Sequence, residues 1–132
     1  MNTENAPCVI FYAEDDKFTR NTMGRMLANL GHGVQSFENG QDLWEALQYV
    51  FKADEDLPDL IITDNQMPGV TGLDLLRELE GAGEPLSGIP RLMVSGDHVA
   101  DEAKKLGAAF LHKPFKRPSL EAAIQTALEG NK

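Results

Sequence analysis

Four positions in this chain have side chains suited to phosphoryl chemistry, and each stands at the end of an apolar run. Asp64 ends the run Leu60-Ile61-Ile62-Thr63 and leads into Asn65-Gln66-Met67-Pro68-Gly69-Val70-Thr71-Gly72. A carboxylate at such a strand-to-loop break is held rigidly, exposed and available as a nucleophile. Glu14-Asp15-Asp16 closes the run Val9 to Ala13, while Ser95 and Lys113 close two later runs. Phosphoryl transfer needs little more than an in-line nucleophile and positive groups that stabilise the transferring oxygens.

Three carboxylates brought into one pocket repel one another. At an effective dielectric near 20 and a spacing of about 5 Å, each like-charged pair costs on the order of 3 kcal/mol. A hard divalent cation with oxygen ligands offsets this: Mg²⁺, or Mn²⁺ in its place, uses one or two carboxylates, keeps water and shares a substrate phosphate. Lys113 supplies a second, fixed positive charge, and the Ser95 hydroxyl a donor for a phosphoryl oxygen.

The elements that must position these groups follow from hydrophobic period. Short apolar runs at Val9 to Ala13, Gly33 to Phe37, Leu60 to Thr63, Arg91 to Val94 and Ala109 to Leu111 alternate with helical spacings, the pattern of strand-helix units that build a parallel sheet. Helical spacing appears in Met23-Met26-Leu27-Leu30, Leu43-Ala46-Leu47-Val50, Leu75-Leu76-Leu79, Val99-Ala103-Leu106 and Leu120-Ala123-Ile124-Ala127, giving five helices. Gly107 stops the short fourth one. Gly31-His32-Gly33, Asn39-Gly40, 54–58 and 81–90 read as loops, the last with three glycines and two prolines. In an open parallel sheet the carboxyl ends of the strands share one edge, where ligands bind at the topological switch point.

Composition narrows the function. The chain has 132 residues, 42% of them apolar, which suits one domain over 1–132 with a core from about 8 to 128. Lys and Arg total 12 against 21 Asp and Glu, a net charge of −9. That balance speaks against direct contact with nucleic acid. No apolar stretch approaches the roughly 20 residues that span a bilayer. The start Met1-Asn2-Thr3-Glu4-Asn5 has neither a basic nor an apolar segment of a signal peptide, and lone Cys8 has no internal disulfide partner, so the cytoplasm is expected.

Taken in order, Glu14-Asp15-Asp16, Asp64-x-x-Met67-Pro68-x-x-x-Gly72, Ser95-Gly96 and Lys113-Pro114-Phe115 resemble the signature of the response-regulator receiver domain over nearly the whole chain, from about Val9 to Leu128. Each motif alone is weak; all four in sequence make a specific joint signal. The resemblance implies a flavodoxin-like, doubly wound α/β sheet of five parallel strands in the order 2-1-3-4-5, flanked by five helices. It implies a phosphoryl group received from a phosphohistidine on a sensor histidine kinase or a histidine phosphotransfer protein. Asp64 matches the phosphoacceptor. Glu14 and Asp15 match the metal-binding acidic pair, with Asp15, Asp64 and the Gln66 backbone carbonyl as direct ligands. Lys113 matches the phosphate-contacting lysine, and Lys113-Pro114 a cis bond. Ser95 matches the switch hydroxyl and Phe110 the switch aromatic, while Gln66 and Asp97 occupy positions that tune how fast water removes the phosphoryl group. The surface so reshaped is that of helix four, strand five and helix five, where a downstream protein, a covalently linked output domain or a second receiver docks.

Simpler roles exist for each residue singly. Glu14 to Asp16 would suit the N-terminus of the first helix, Ser95-Gly96 an ordinary turn and Lys113 a surface site. His32, His98 and His112 show no zinc-ligand spacing and read as incidental; Cys8 reads as a buried, inert thiol. Trp44, Leu47 and Phe51 form a second strip on helix two, read as packing at the sheet edge. Among competing functions, the aspartate-nucleophile phosphohydrolases open with Asp-x-Asp, whereas Asp64 is followed two positions later by Gln66, which cannot act as that general acid. A receiver-like module used only for protein binding would not need the acids and lysine together. The sequence leaves open a free-standing receiver or one belonging to a larger regulator or hybrid kinase.

Overall fold

The computed structural model describes residues 6–130; Met1 to Asn5, read above for a leader, and Asn131 and Lys132 lie outside them. Strands β1 (Val9–Ala13), β2 (Gly33–Phe37), β3 (Leu60–Thr63), β4 (Arg91–Ser95) and β5 (Ala109–His112) alternate with helices α1 (Lys17–Asn29), α2 (Gly40–Lys52), α3 (Gly72–Gly81), α4 (Ala100–Lys105) and α5 (Arg117–Glu129). The sheet has the order β2-β1-β3-β4-β5, with every pairing parallel. This is the doubly wound arrangement expected above, with β4 and β5 each one residue longer than the apolar runs.

Each central strand feeds two cores because successive side chains point to opposite faces. Ile10, Tyr12, Leu60, Ile62, Leu92 and Val94 pack with Met23 and Leu27 of α1 and Leu120 and Ile124 of α5. Phe11, Ala13, Ile61 and Met93 pack on the other side with Leu43 and Leu47 of α2, Leu75, Leu76 and Leu79 of α3, and Ala103 of α4. Burial on both faces is why these runs lack a polar alternation. The outer strand β2 is largely exposed, which its mixed composition Gly33-Val34-Gln35-Ser36-Phe37 already reflects.

The starts of α1, α2 and α3 are fixed by short side chains. Asp16 caps α1 by accepting the Thr19 N–H at 2.8 Å, and Asn39 caps α2 by accepting from Asp42 N–H at 2.7 Å. Thr71 and Asp74 form a reciprocal capping box at α3, an arrangement that satisfies two otherwise orphaned N–H groups. The acidic segment therefore divides its labour: Asp16 takes the capping role, leaving Glu14 and Asp15 to the strand edge. α4 has no side-chain cap, and Val99 and Leu106, read as helical, are its flanking residues.

Two expectations change. Residues 81–90 are not a plain loop: a 3-10 turn at Leu86–Gly88 buries Leu86 and Ile89 in the α2–α3–α4 core. Glycines and prolines there encode a turn with anchors. His32 is not incidental, since its Nδ1 accepts the Cys8 N–H at 3.0 Å and so finishes the entry to β1. Burial holds its imidazole below the ordinary histidine value. Cys8 is a buried free thiol as expected, pushed up by burial and then by Asp59.

Arg91, at the start of β4 and almost fully buried, ties down the opposite end of the sheet. It donates to Ile89 O at 3.0 Å, Leu106 O at 3.2 Å, Ser87 O and Glu80 Oε2 at 2.9 Å. The fan of donors on one guanidinium suits this junction of β4, the 3-10 turn and the end of α4.

Gly72 begins α3 with its N–H on Asn65 O at 3.0 Å. A Cβ there would collide with the Asp64 carbonyl oxygen and lie 2.9 Å from Asn65 Cα, both backbone atoms with nowhere to yield. Gly72→Ala is therefore expected to lower stability by about 1–3 kcal/mol, read as a lower denaturation midpoint. The His32 bond gives a pH effect. Its folded-state pKa lies below the unfolded value, so this contribution is complete above about pH 6.5 and fades as pH falls through and below it. The thermal midpoint of the native protein should fall more between pH 7.5 and 5.5 than that of His32→Asn.

Candidate phosphoryl site

Register, more than any single contact, assembles the site. Ala13 pairs with Thr63 and Ser95 with His112, so the residues one step further, Glu14, Asp64 and Lys113, emerge together at the carboxyl edge. Backbone bonds continue the ladder past the strand ends: Asp64 N–H donates to Ala13 O at 3.1 Å and Lys113 N–H to Ser95 O at 2.9 Å. The Lys113-Pro114 bond is cis, as the resemblance implied.

Glu14, Asp15 and Asp64 each offer a carboxylate oxygen, and these oxygens lie within 4.8 Å of one another. Lys113 Nζ donates to Glu14 Oε1 at 3.1 Å and to Asp64 Oδ2 at 3.4 Å. At an effective dielectric near 20, an ion pair at about 3 Å attracts by roughly 5 kcal/mol, against roughly 3 kcal/mol for each repulsion. Three carboxylates against one ammonium still leave a formal −2.

Burial sharpens this. Glu14 is almost fully enclosed. Desolvation raises its carboxyl above the usual range, the Asp64 charge adds to the rise, and the Asp16 N–H and Lys113 oppose it. Burial by itself would lower Lys113, but Asp64 and Glu14 together hold its ammonium above the ordinary lysine value. Tyr12 beneath them is pushed well up by burial and by the charges of Glu14 and Asp64, so it stays neutral and adds no charge.

Gln66, Ser95 and Asp97 surround the same opening. A cavity of about 350 Å³ is lined by Asp64, Gln66, Ser95, Gly96, Asp97 and Lys113. Ser95 is buried, and its Oγ accepts the Asp97 N–H at 3.0 Å. Gln66 Nε2 donates to Asp97 Oδ1 at 2.7 Å, so the two residues expected to tune the phosphoryl lifetime touch each other. Phe110 does not reach the cavity; it is partly buried against the α2–α3–α4 core.

Two residues at the site escaped the sequence reading. Arg20 Nη1 donates to Glu14 O at 2.8 Å and Asp15 O at 3.3 Å, pinning the acidic turn from α1. Its signal was the backward lean of helical side chains, which lays an early basic residue over the preceding loop. Asn65 Nδ2 donates to Asp97 Oδ2 at 2.8 Å, a pairing across 32 residues that no local spacing announces. Beside the cavity lies an apolar shelf of Phe18, Met26 and Phe115 reaching Lys113, with Phe18 77% exposed.

Comparison with known proteins agrees with this geometry. The model of the response regulator receiver domain matches residues 10–125. The transcriptional regulatory protein FixJ of Bradyrhizobium diazoefficiens is 32% identical over 127 residues, covering 90% of this chain and 56% of that protein. The DNA-binding transcriptional regulator NtrC of Azospirillum brasilense is 34% identical over 123 residues, covering 92% of this chain and 24% of that protein. The chain thus spans about half, or less, of the length of these relatives. Among solved structures, chemotaxis protein CheY4 of Vibrio cholerae superposes with a TM-score of 0.75 at 27% identity, covering 93% of this chain and all of that one. Full-length FixJ from B. japonicum gives 0.77 at 28%, covering 95% and 59%. None of the helices among the described residues is long and apolar enough to cross a membrane. With strand order, edge cluster and sequence match in agreement over the same span, this chain belongs to the response regulator receiver domain family, the signalling domains of two-component systems.

Proposed function

We propose that this chain receives a phosphoryl group on Asp64, in a step that depends on a divalent cation, from a phosphohistidine on a sensor histidine kinase or a histidine phosphotransfer protein. The observation that carries this reading is the cluster of Glu14, Asp15 and Asp64 carboxylates, two of which, Glu14 and Asp64, pair with the ammonium of Lys113.

The donors of the cluster are all hard carboxylate oxygens, without sulfur or imidazole, and they retain a net −2 beside Lys113. That set fits Mg²⁺ or Mn²⁺, held by Asp15, Asp64 and the Gln66 carbonyl, with Glu14 adjoining. When bound, the ion neutralises charge on the phosphoryl oxygens. The chain does the rest. An Asp64 carboxylate oxygen attacks phosphorus, and the bond to the imidazole nitrogen breaks with its electron pair going to that nitrogen, which takes up a proton. Lys113 steadies the charge on the transferring oxygens. The shelf of Phe18, Met26 and Phe115 beside Lys113 suits the apolar flank of the donor protein.

The output follows from the same geometry. Ser95 Oγ, now accepting from Asp97 N–H, leaves that bond to donate to a phosphoryl oxygen, and Phe110 follows into the vacated space. α4 is poised to respond, because its start has no side-chain cap while Arg91 holds the Leu106 carbonyl beyond its end. The α4–β5–α5 face so altered presents to a downstream protein or linked output domain in the cytoplasm, or to a second receiver. The chain then promotes only its own phosphorylation and dephosphorylation.

The phosphohydrolase alternative is disfavoured by Gln66, whose amide is committed to Asp97 and is no general acid. Incubation with acetyl phosphate and Mg²⁺, read by intact mass, should add one phosphoryl group to the native protein and none to Asp64→Asn. Labelling of both alike, or continued turnover of a generic phosphomonoester, would contradict the proposal.

A further inference from the structure

Asn65 joins three pieces of the site. Its side-chain amide donates to Asp97 Oδ2 at 2.8 Å, its side-chain oxygen accepts the Leu73 N–H at 3.1 Å, and its backbone N–H donates to Asp64 Oδ1 at 2.6 Å. Gln66 Nε2 occupies the other Asp97 oxygen at 2.7 Å. The β3–α3 and β4–α4 turns are thus laced together by one carboxylate held at both oxygens. That carboxylate lines the cavity through which Asp64 is reached.

An amide suits position 65 because its donor and its acceptor sit on different atoms. It must donate to Asp97 and accept from Leu73 at once, and asparagine carries both functions on one short side chain. Bonds from an amide to an ionised carboxylate are stronger than neutral ones, and Asp97 is half-buried, so the lacing is shielded in part from water.

We propose that Asn65 is a positioning residue that fixes the Asp97 carboxylate across the mouth of the site and so prolongs the life of the phosphoryl group on Asp64. This deepens the proposed function and rests on Asp64 as the phosphoacceptor. In hydrolysis, a water oxygen bonds to phosphorus while the bond from phosphorus to the Asp64 oxygen breaks. The electron pair returns to the Asp64 carboxylate, and the water proton leaves with inorganic phosphate. With both oxygens engaged by amides, Asp97 neither swings aside to admit water nor turns an oxygen toward it. Loss of the Asn65 donor permits both, and each accelerates hydrolysis.

The test loads the protein with acetyl phosphate and Mg²⁺, removes the donor, and follows loss of the phosphoryl mass with time. Asn65→Asp keeps the acceptor for Leu73 but loses the donor to Asp97; Asp97→Asn leaves one acceptor oxygen for the two amide donors of Asn65 and Gln66. Each should shorten the lifetime roughly threefold or more. The double variant Asn65→Asp with Asp97→Asn exchanges donor and acceptor, restoring the bond with reversed polarity, and should return to within about twofold of the native lifetime. Rescue of this kind is not expected from a merely structural role. Single variants that decay like the native protein, or a double variant whose effects simply accumulate, would overturn the inference. Should Asn65→Asp fail to fold, Asp97→Ala removes the shared acceptor and must itself shorten the lifetime; a native lifetime there overturns the inference as well. If the native protein takes up no phosphoryl group, the assignment of Asp64 fails first, an outcome distinct from all of these.

Discussion

The charge balance at the carboxyl edge of this sheet depends on how Lys113 meets Glu14 and Asp64. The ammonium spans the distance between residues that follow the first and third strands, at 3.1 Å and 3.4 Å, and among the described residues it is the cation paired with those acids. It leaves their charge incompletely balanced. Three carboxylates and one ammonium leave a formal −2 at this edge, charge that a divalent cation would offset.

The fold supplies this arrangement through register and close approach. Parallel pairing aligns the strand ends, and Gly72 lets α3 begin in direct contact with the Asp64 backbone. Asp16 takes over the helix cap, so that its two predecessors face the pocket. At the other end, Arg91 binds β4 to the carbonyl beyond α4. The sheet is therefore pinned below by Arg91 and open above, where α4 and α5 both start without a side-chain cap.

Much of this was legible in the sequence because it rests on period and position. Apolar runs with residues at their ends fix the strands, and a parallel sheet forces those ends to one edge; Glu14, Asp64, Ser95 and Lys113 follow from that alone. The unread parts depend on contacts between distant loops. Asn65 reaches Asp97 across 32 residues, and Arg91 collects carbonyls from two turns. His32 serves a strand entry 24 residues away. The turn at 81–90 misled because glycine and proline announce a change of direction while saying nothing of the Leu86 and Ile89 anchors beneath it.

Whether the acids that follow β1 and β3 share one cation beside Lys113 is read by calorimetric titration with Mg²⁺. The native protein should bind one ion, and Asp15→Asn and Asp64→Asn should each bind it about tenfold more weakly or worse. Equal binding by the native protein and both variants would show that these carboxylates do not share a cation.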